Sequence, residues 1–314
     1  MIDPTLPEME EVCCDLCGAQ ESTVLYTLTD ALHPLPGKFP LRRCAKCSLV
    51  YLSPRPTPQS IRQYYPPDYA PYRPPIEDER FVLMRYMRRR KMIKRRTLIE
   101  KYDGSTNGRV LDVGCATGVF LHEMQLAGWA AVGVEPIPSA AELAQRQFGL
   151  EVFPGMLSDA PFAPQSFDAL TFWDVLEHTF SPRAELAHAA RLLKPGGLVV
   201  VNVPNWDSFE RRPFGPYWSG FDSPRHLYVF TRRTLTQLLA QAGFHVLDWV
   251  CFMSGYFPWT LSVQHWLKAK HLRWKKPVMR LLTFPGMRLP FEPWFAWVNW
   301  RGIGPTISVF ARKE

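Results

Sequence analysis

Acidic side chains are in short supply in this 314-residue sequence: 29 Asp and Glu stand against 37 Lys and Arg, a formal net charge of +8. Such a balance leaves nucleic-acid phosphates, lipid headgroups and other anionic partners open. Unbroken apolar runs are also missing. The stretch from Trp249 to Leu267 carries no formal charge and approaches spanning length, but Gly255, Pro258, Gln264 and His265 interrupt it, which argues against a membrane-crossing helix. No secretory signal pattern opens the chain, so a cytoplasmic, thiol-reducing setting is expected, with peripheral membrane contact left open. Cysteine is sparse and odd in number, seven in all, which counts against a complete disulfide framework. What is not missing is core material. Hydrophobic residues at 46% with 21% charged residues describe a folded chain, and the length suggests about two domains.

Proline is abundant. Thirty are present, and Pro54, Pro56, Pro58, Pro66, Pro67, Pro71, Pro74 and Pro75 crowd a stretch where they forbid long regular elements. This reads as an extended arm laid over neighbouring structure. Ahead of it, Cys14-x-x-Cys17 and Cys44-x-x-Cys47 have the spacing of four thiolates around one tetrahedral zinc, with Gly18 supplying the turn. Four sulfurs leave no open coordination position, so the metal would be structural. Disulfides are the competing account, and Cys13 competes with Cys14 as a ligand.

The most informative stretch runs from Val110 to Gly118. Val110 to Val113 reads as a strand buried on both faces, Gly114 to Gly118 as a tight turn, Thr117 to Leu126 as a helix stopped by Gly128, and Ala130 to Val134 as a second strand. Glu135 then stands at a strand end, where a carboxylate can accept both hydrogen bonds of a ribose diol. No G-x-G-x-x-G opens this loop. The pattern is Asp112-x-Gly114-x-Ala116-x-Gly118, which disfavours a dinucleotide.

That pattern resembles motif I of the class I S-adenosylmethionine-dependent methyltransferases (methyltransferase type 11/23-like), with Ala116 in place of a glycine and only a slightly tighter turn expected. Ser166 to His178 is similar to the family's fourth strand and following loop, and Arg191 to Asn205 to its helix, Pro-Gly-Gly turn and fifth strand. His226 to Thr231 and Ala242-Gly243-Phe244 match later landmarks, and Thr306 to Ala311 its closing seventh strand. The resemblance implies an α/β, Rossmann-like, seven-stranded and mostly parallel sheet with helices on both faces. It implies S-adenosyl-L-methionine over Asp112, Gly114, Cys115, Ala116 and Gly118, with Glu135 on the ribose and Met156 and Leu157 beside the adenine. The family's acidic residue near the adenine is absent or displaced to Asp159, and Trp173 and Asp174 line the cofactor's other side.

Methyl transfer asks mainly for alignment of acceptor and sulfonium methyl. A hydroxyl acceptor also asks for a base, and His178 and His226 are the candidates, assisted by Asp174 or Tyr228. Asp174-x-x-Glu177-His178 resembles the Glu-x-x-Glu-His pattern with which some quinone-biosynthesis O-methyltransferases bind a divalent ion. The zinc-ribbon segment followed by Ser48 to Pro56 and Tyr64-Tyr65-Pro66 resembles a subset of these enzymes that serves carbohydrate, polysaccharide and natural-product pathways, which implies a saccharide-like acceptor.

Five segments result: a zinc-ribbon segment over 1–60, a Pro-rich arm and basic helix over 61–104, a methyltransferase core over 105–252, an aromatic and basic insertion over 253–303, and a final core strand over 304–314. Arg80 to Lys101 reads as a helix packing Phe81, Leu83, Met84, Met87, Ile93 and Leu98 with its charges in water, and phosphate or lipid binding is the alternative. The insertion, rich in tryptophan and lysine, reads either as a lid or as a membrane-interface element. Together these predict a methyltransferase for a small-molecule, saccharide or lipid-linked acceptor, by O-methylation. The alternatives are an RNA methyltransferase, against which no Asn-Pro-Pro-Tyr-type motif follows strand four, and a non-catalytic cofactor-binding protein.

Overall fold

A computed structural model describes residues 7–33, 35–65, 82–284 and 286–314. The part of the proline-rich arm carrying Pro66, Pro67, Pro71, Pro74 and Pro75, together with Phe81, lies outside them. The N-terminal segment holds β1 (Met9–Glu10), β2 (Ser22–Leu28), β3 (Phe39–Cys44), β4 (Val50–Leu52) and β5 (Arg55–Pro56). β2 stays largely outside the core, with only Leu28 buried, as its place at the sheet's edge requires, and β2, β3 and β4 form an antiparallel meander. Helix α1 (Val82–Asp103) leads into the core.

The core runs β6 (Arg109–Val113), α2 (Val119–Leu126), β7 (Ala130–Glu135), α3 (Pro138–Phe148), β8 (Glu151–Pro154), β9 (Phe167–Trp173), α4 (Pro182–Leu192) and β10 (Leu193–Pro204). It continues through α5 (Arg211–Phe214), β11 (Tyr228–Val229), α6 (Arg232–Gln241) and β12 (Phe244–Val250). An insertion of α7 (Tyr256–Ala269), α8 (Lys275–Leu282) and α9 (Glu292–Trp300) precedes β13 (Thr306–Lys313). Seven strands order as β12-β13-β10-β9-β6-β7-β8, with only β13 antiparallel to its neighbours. β6, β9 and β10 bury nearly every side chain, as strands covered on both faces must. The chain winds outward from β6 to β8 and then returns to β9 on the other side of β6. That reversal opens a crevice at the carboxyl ends of β6 and β9, where open α/β sheets hold ligands.

The ribbon does not stand apart from this core. β11 pairs with β4, Tyr228 opposite Tyr51, and so completes the ribbon's four-stranded sheet from the core side. Asp15, between Cys14 and Cys17, accepts from Ser181 Oγ (2.8 Å) and the Arg183 amide (2.9 Å) at the start of α4, a favourable place for an anion. Arg225 is wholly buried and donates to Asp30 of the ribbon (2.8 and 2.9 Å) and to Asp222 (2.7 and 3.0 Å).

Helix α1 packs differently from the expected pattern. Met92, Leu98 and Ile99 are buried while Met84 is exposed, and Arg95 lies buried on the same stripe. Of the expected face Leu98 is buried and Met87 and Ile93 are half-buried, and the buried stripe adds Met92, Arg95 and Ile99 to it.

Removing one partner of a buried ion cluster strands the remaining charge. Asp30→Ala should cost about 3–5 kcal/mol in urea unfolding. Glu142→Ala, which breaks an exposed pair with Arg146, should cost under about 1 kcal/mol.

Candidate active site

The glycine turn after β6 is held by its own backbone and by Glu135. The Gly114 and Cys115 amides donate to the Val134 carbonyl at 2.7 and 3.1 Å. Glu135, buried, accepts from the Ala116 amide through Oε2 and from the Ile137 amide through Oε1, both at 2.9 Å. This carboxylate therefore shapes the loop as well as standing at its expected strand end. A Cβ at Gly114 would meet Val175 Cγ2 at 2.7 Å, so the glycine is required by the loop after β9 pressing on it. Ala116 sits at φ 48°, in the left-handed region that an L-residue occupies at a cost of about 1–2 kcal/mol. The substitution is a conformational departure and not merely a tighter turn. Cys115 is buried, its sulfur lying against Gly133, so it offers the crevice only backbone. Met156 is exposed, Leu157 is buried, and Asp159 is an exposed acceptor for Ser158.

Asp112, at the end of β6, is buried and accepts from Thr171 Oγ1 at 2.6 Å across the parallel pair. Burial pushes its carboxyl up to about 7, against the lowering effect of the Thr171 hydrogen bond and nearby Arg95. Arg95 reaches in from α1, its guanidinium 4.3 Å from the Trp173 ring centroid and 3.2 Å from Asp174 Oδ2. A desolvated cation over an indole is worth about 2 kcal/mol. Asp174 takes φ 61°, which aspartate tolerates better than most residues. Asn202 donates to it, and the Asp174 amide donates back to the Asn202 carbonyl at 3.0 Å. Ser308 on β13 in turn donates to Asn202 Oδ1 at 2.8 Å.

Immediately beyond, Glu177, His178 and His226 converge, with one donor atom from each lying within 4.8 Å of the others. The two imidazoles meet edge to face at 4.6 Å. His178 Nδ1 is 3.0 Å from the Arg225 carbonyl, and His226 Nδ1 is 2.9 Å from the Gly220 carbonyl. A carbonyl can only accept, so each Nδ1 carries the proton and each Nε2 keeps its lone pair. Burial pushes both histidines toward the neutral form, His178 to about 3. Tyr65 stands 3.1 Å from His178 Nδ1. Glu177 is fully buried, and neither carboxylate oxygen has a hydrogen-bond partner among the described residues. Burial raises its pKa well above the ordinary carboxylate range. Tyr228 is engaged elsewhere, between Arg55 and the Phe180 carbonyl.

In the ribbon, Cys14, Cys17, Cys44 and Cys47 bring their sulfurs within 4.8 Å of one another. Cys14 and Cys47 are 3.4 Å apart and Cys17 and Cys44 3.5 Å, close to the edge of about 3.8 Å for sulfurs around zinc at ~2.3 Å. Cys13 is exposed and outside the group, whereas Cys14 is within it. After each second cysteine the backbone turns left-handed, at Gly18 (φ 70°) and Ser48 (φ 67°).

Residues 84–248, more than half of the chain, match the profile of a family described as a methyltransferase domain. The chain belongs to this methyltransferase family. Among curated relatives, a ubiquinone biosynthesis O-methyltransferase of Vibrio atlanticus is 31% identical over 115 residues, 34% of this chain and 48% of that protein. One from Cereibacter sphaeroides (strain ATCC 17029) is 28% identical over 177 residues, 50% of this chain and 68% of that protein. The chain spans about half the length of the first of these relatives. Geranyl diphosphate C-methyltransferase from Streptomyces coelicolor A3(2) superposes with a TM-score of 0.49 at 13% identity, over 77% of this chain and 89% of that one.

Within this methyltransferase frame, three participants escaped the sequence reading. Arg95 was hidden among eight cations, although its place on the stripe of Met92 and Ile99 marks it as inward-facing. Asn202 and Arg225 depend on partners more than a hundred residues away, and no local signal announces them.

Asp112 generates a pH test. Below its unfolded pKa near 4 both states hold the proton; as pH rises toward about 7 the unfolded state gives it up while the folded state keeps it. Folding stability should therefore decline across that window, by up to about 1.4 kcal/mol per pH unit. Asp112→Asn should flatten the decline in urea titrations at pH 5 and pH 7. Parallel curves for the two proteins would refute it.

Proposed function

We propose that this chain transfers the methyl group of S-adenosyl-L-methionine to an oxygen of a small-molecule, saccharide or lipid-linked acceptor. The observation that carries the reading is the contact of two loops at the sheet's reversal point: the glycine turn after β6 abuts Val175, and two residues further on begins the Glu177–His178–His226 cluster. A cofactor seated by Gly114, Ala116 and Gly118, with Glu135 toward its ribose, would direct its methyl toward that cluster. Met156 and Leu157 would flank the adenine, and Trp173 would close the opposite side.

In this reading His226 is the base. Its Nδ1 hydrogen bond to Gly220 fixes the tautomer that leaves Nε2 to accept a hydroxyl proton as the oxygen attacks the methyl carbon and the sulfonium leaves as a neutral thioether. Asp174, anchored by Arg95 and Asn202, orients the approach. A second reading is favoured by Glu177, whose two oxygens are buried without partners among the described residues. Glu177, His178 and His226 would suit a divalent ion, each histidine giving its other ring N–H to a backbone carbonyl as metal-bound imidazoles commonly do. Such an ion would polarise the acceptor oxygen. The four ribbon thiolates would hold a structural zinc, and Asp15 within the first knuckle links that site to α4.

Incubation with methyl-labelled cofactor and fractionated cell extract should place label in a small-molecule, glycan or lipid fraction, and label confined to RNA would overturn the assignment. His226→Ala should lower turnover about 10²–10⁴-fold with cofactor affinity unchanged by calorimetry. Elemental analysis of the purified chain should find one tightly held zinc that Cys44→Ser abolishes, together with a drop in melting temperature. Two disulfides and no metal would refute that part.

A further inference from the structure

The insertion carries an arrangement that methyl transfer does not use. Between Trp249 and Ile303 the sequence has eight Lys and Arg and a single carboxylate, Glu292. Every exposed tryptophan among the described residues belongs to it: Trp274, Trp294, Trp297 and Trp300, the last 79% exposed. The inner side of the insertion is already satisfied, with Tyr256, Phe291 and Phe295 packed on one another and Phe295 and Val298 buried. Helix α9 thus buries one face and leaves three tryptophans, spaced by three, on another. Helix α8 buries no residue at all, although Val278, Leu281 and Leu282 gather on one side and Lys275, Lys276 and Arg280 on the rest. Phe284 and Leu289 are also more than half exposed.

The patch continues onto α1. Arg288 lies 3.4 Å from the Met87 sulfur, and the first turns of α1 add exposed Val82 and Tyr86 among arginines. No described helix is long and apolar enough to cross a membrane, so this surface would lie on a bilayer and not in one. We propose that α8, α9 and the first turns of α1 form a docking surface for an anionic phospholipid bilayer. Indoles at headgroup depth, aliphatic side chains below them and lysines reaching phosphates are the parts such a surface requires.

Charge argues for this occupant. A second copy would set two strongly cationic faces against each other. Single-stranded nucleic acid would use the cations and indoles by stacking but would leave Leu281 and Leu289 in water. This inference stands independently of the acceptor's identity.

The test is flotation of the full chain with vesicles of phosphatidylcholine alone and of phosphatidylcholine mixed with phosphatidylglycerol. Binding to the mixed vesicles is expected, weakened by salt, with a blue shift of tryptophan emission and quenching by brominated lipid. Lys275→Glu with Lys276→Glu should weaken partitioning on the order of 10-fold or more, with melting temperature unchanged because both lysines are exposed, and Trp297→Ala with Trp300→Ala should weaken it comparably. Absence of binding to the anionic vesicles would overturn the proposal. So would self-association abolished by the tryptophan variant, or retention on RNA without vesicle binding.

Discussion

The fully buried Arg225 is the interaction on which the rest of the site depends. Its guanidinium is shared between Asp30 of the ribbon and Asp222 of the core, and it donates also to the Tyr64 carbonyl at 3.0 Å. Its own carbonyl sets the tautomer of His178. One side chain thereby fastens the cysteine-bearing hairpin to the sheet while the same residue's backbone fixes the ring of His178. Burying a guanidinium is tolerable only because charged and neutral acceptors surround it.

The same economy of parts recurs in the crevice. Glu135 uses both oxygens on backbone amides of the loops it joins, so the loop is shaped before any ligand arrives. Arg95 neutralises Asp174 and covers Trp173, which makes the basic helix part of the site's wall. A helix whose charges all read as solvated contributes one of the most deeply placed charges in the crevice.

The strand and glycine-turn pattern around Asp112 to Glu135 was legible because it is local: a doubly buried strand, a forced turn and a strand-end carboxylate each leave a mark within a few residues. The seven-stranded, mostly parallel sheet followed from the ordered motifs. The pairing of β11 with β4 left no mark, since a two-residue strand has no periodicity to read. Ala116 shows a subtler limit. Side-chain volume alone predicts a benign replacement, whereas the backbone angle it must adopt is the costly part. Likewise, the insertion's aromatics divided between an inward-packed set and an exposed set, a distinction that composition could not make.

The hydrogen bond from Ser308 to Asn202 ties the crevice to the far end of the sequence. β13 slots between β10 and β12, and its Ser308 braces the amide that donates to Asp174. A change on β13 is therefore felt at the carboxyl end of β9, two strands away in the sheet and more than a hundred residues away in the chain.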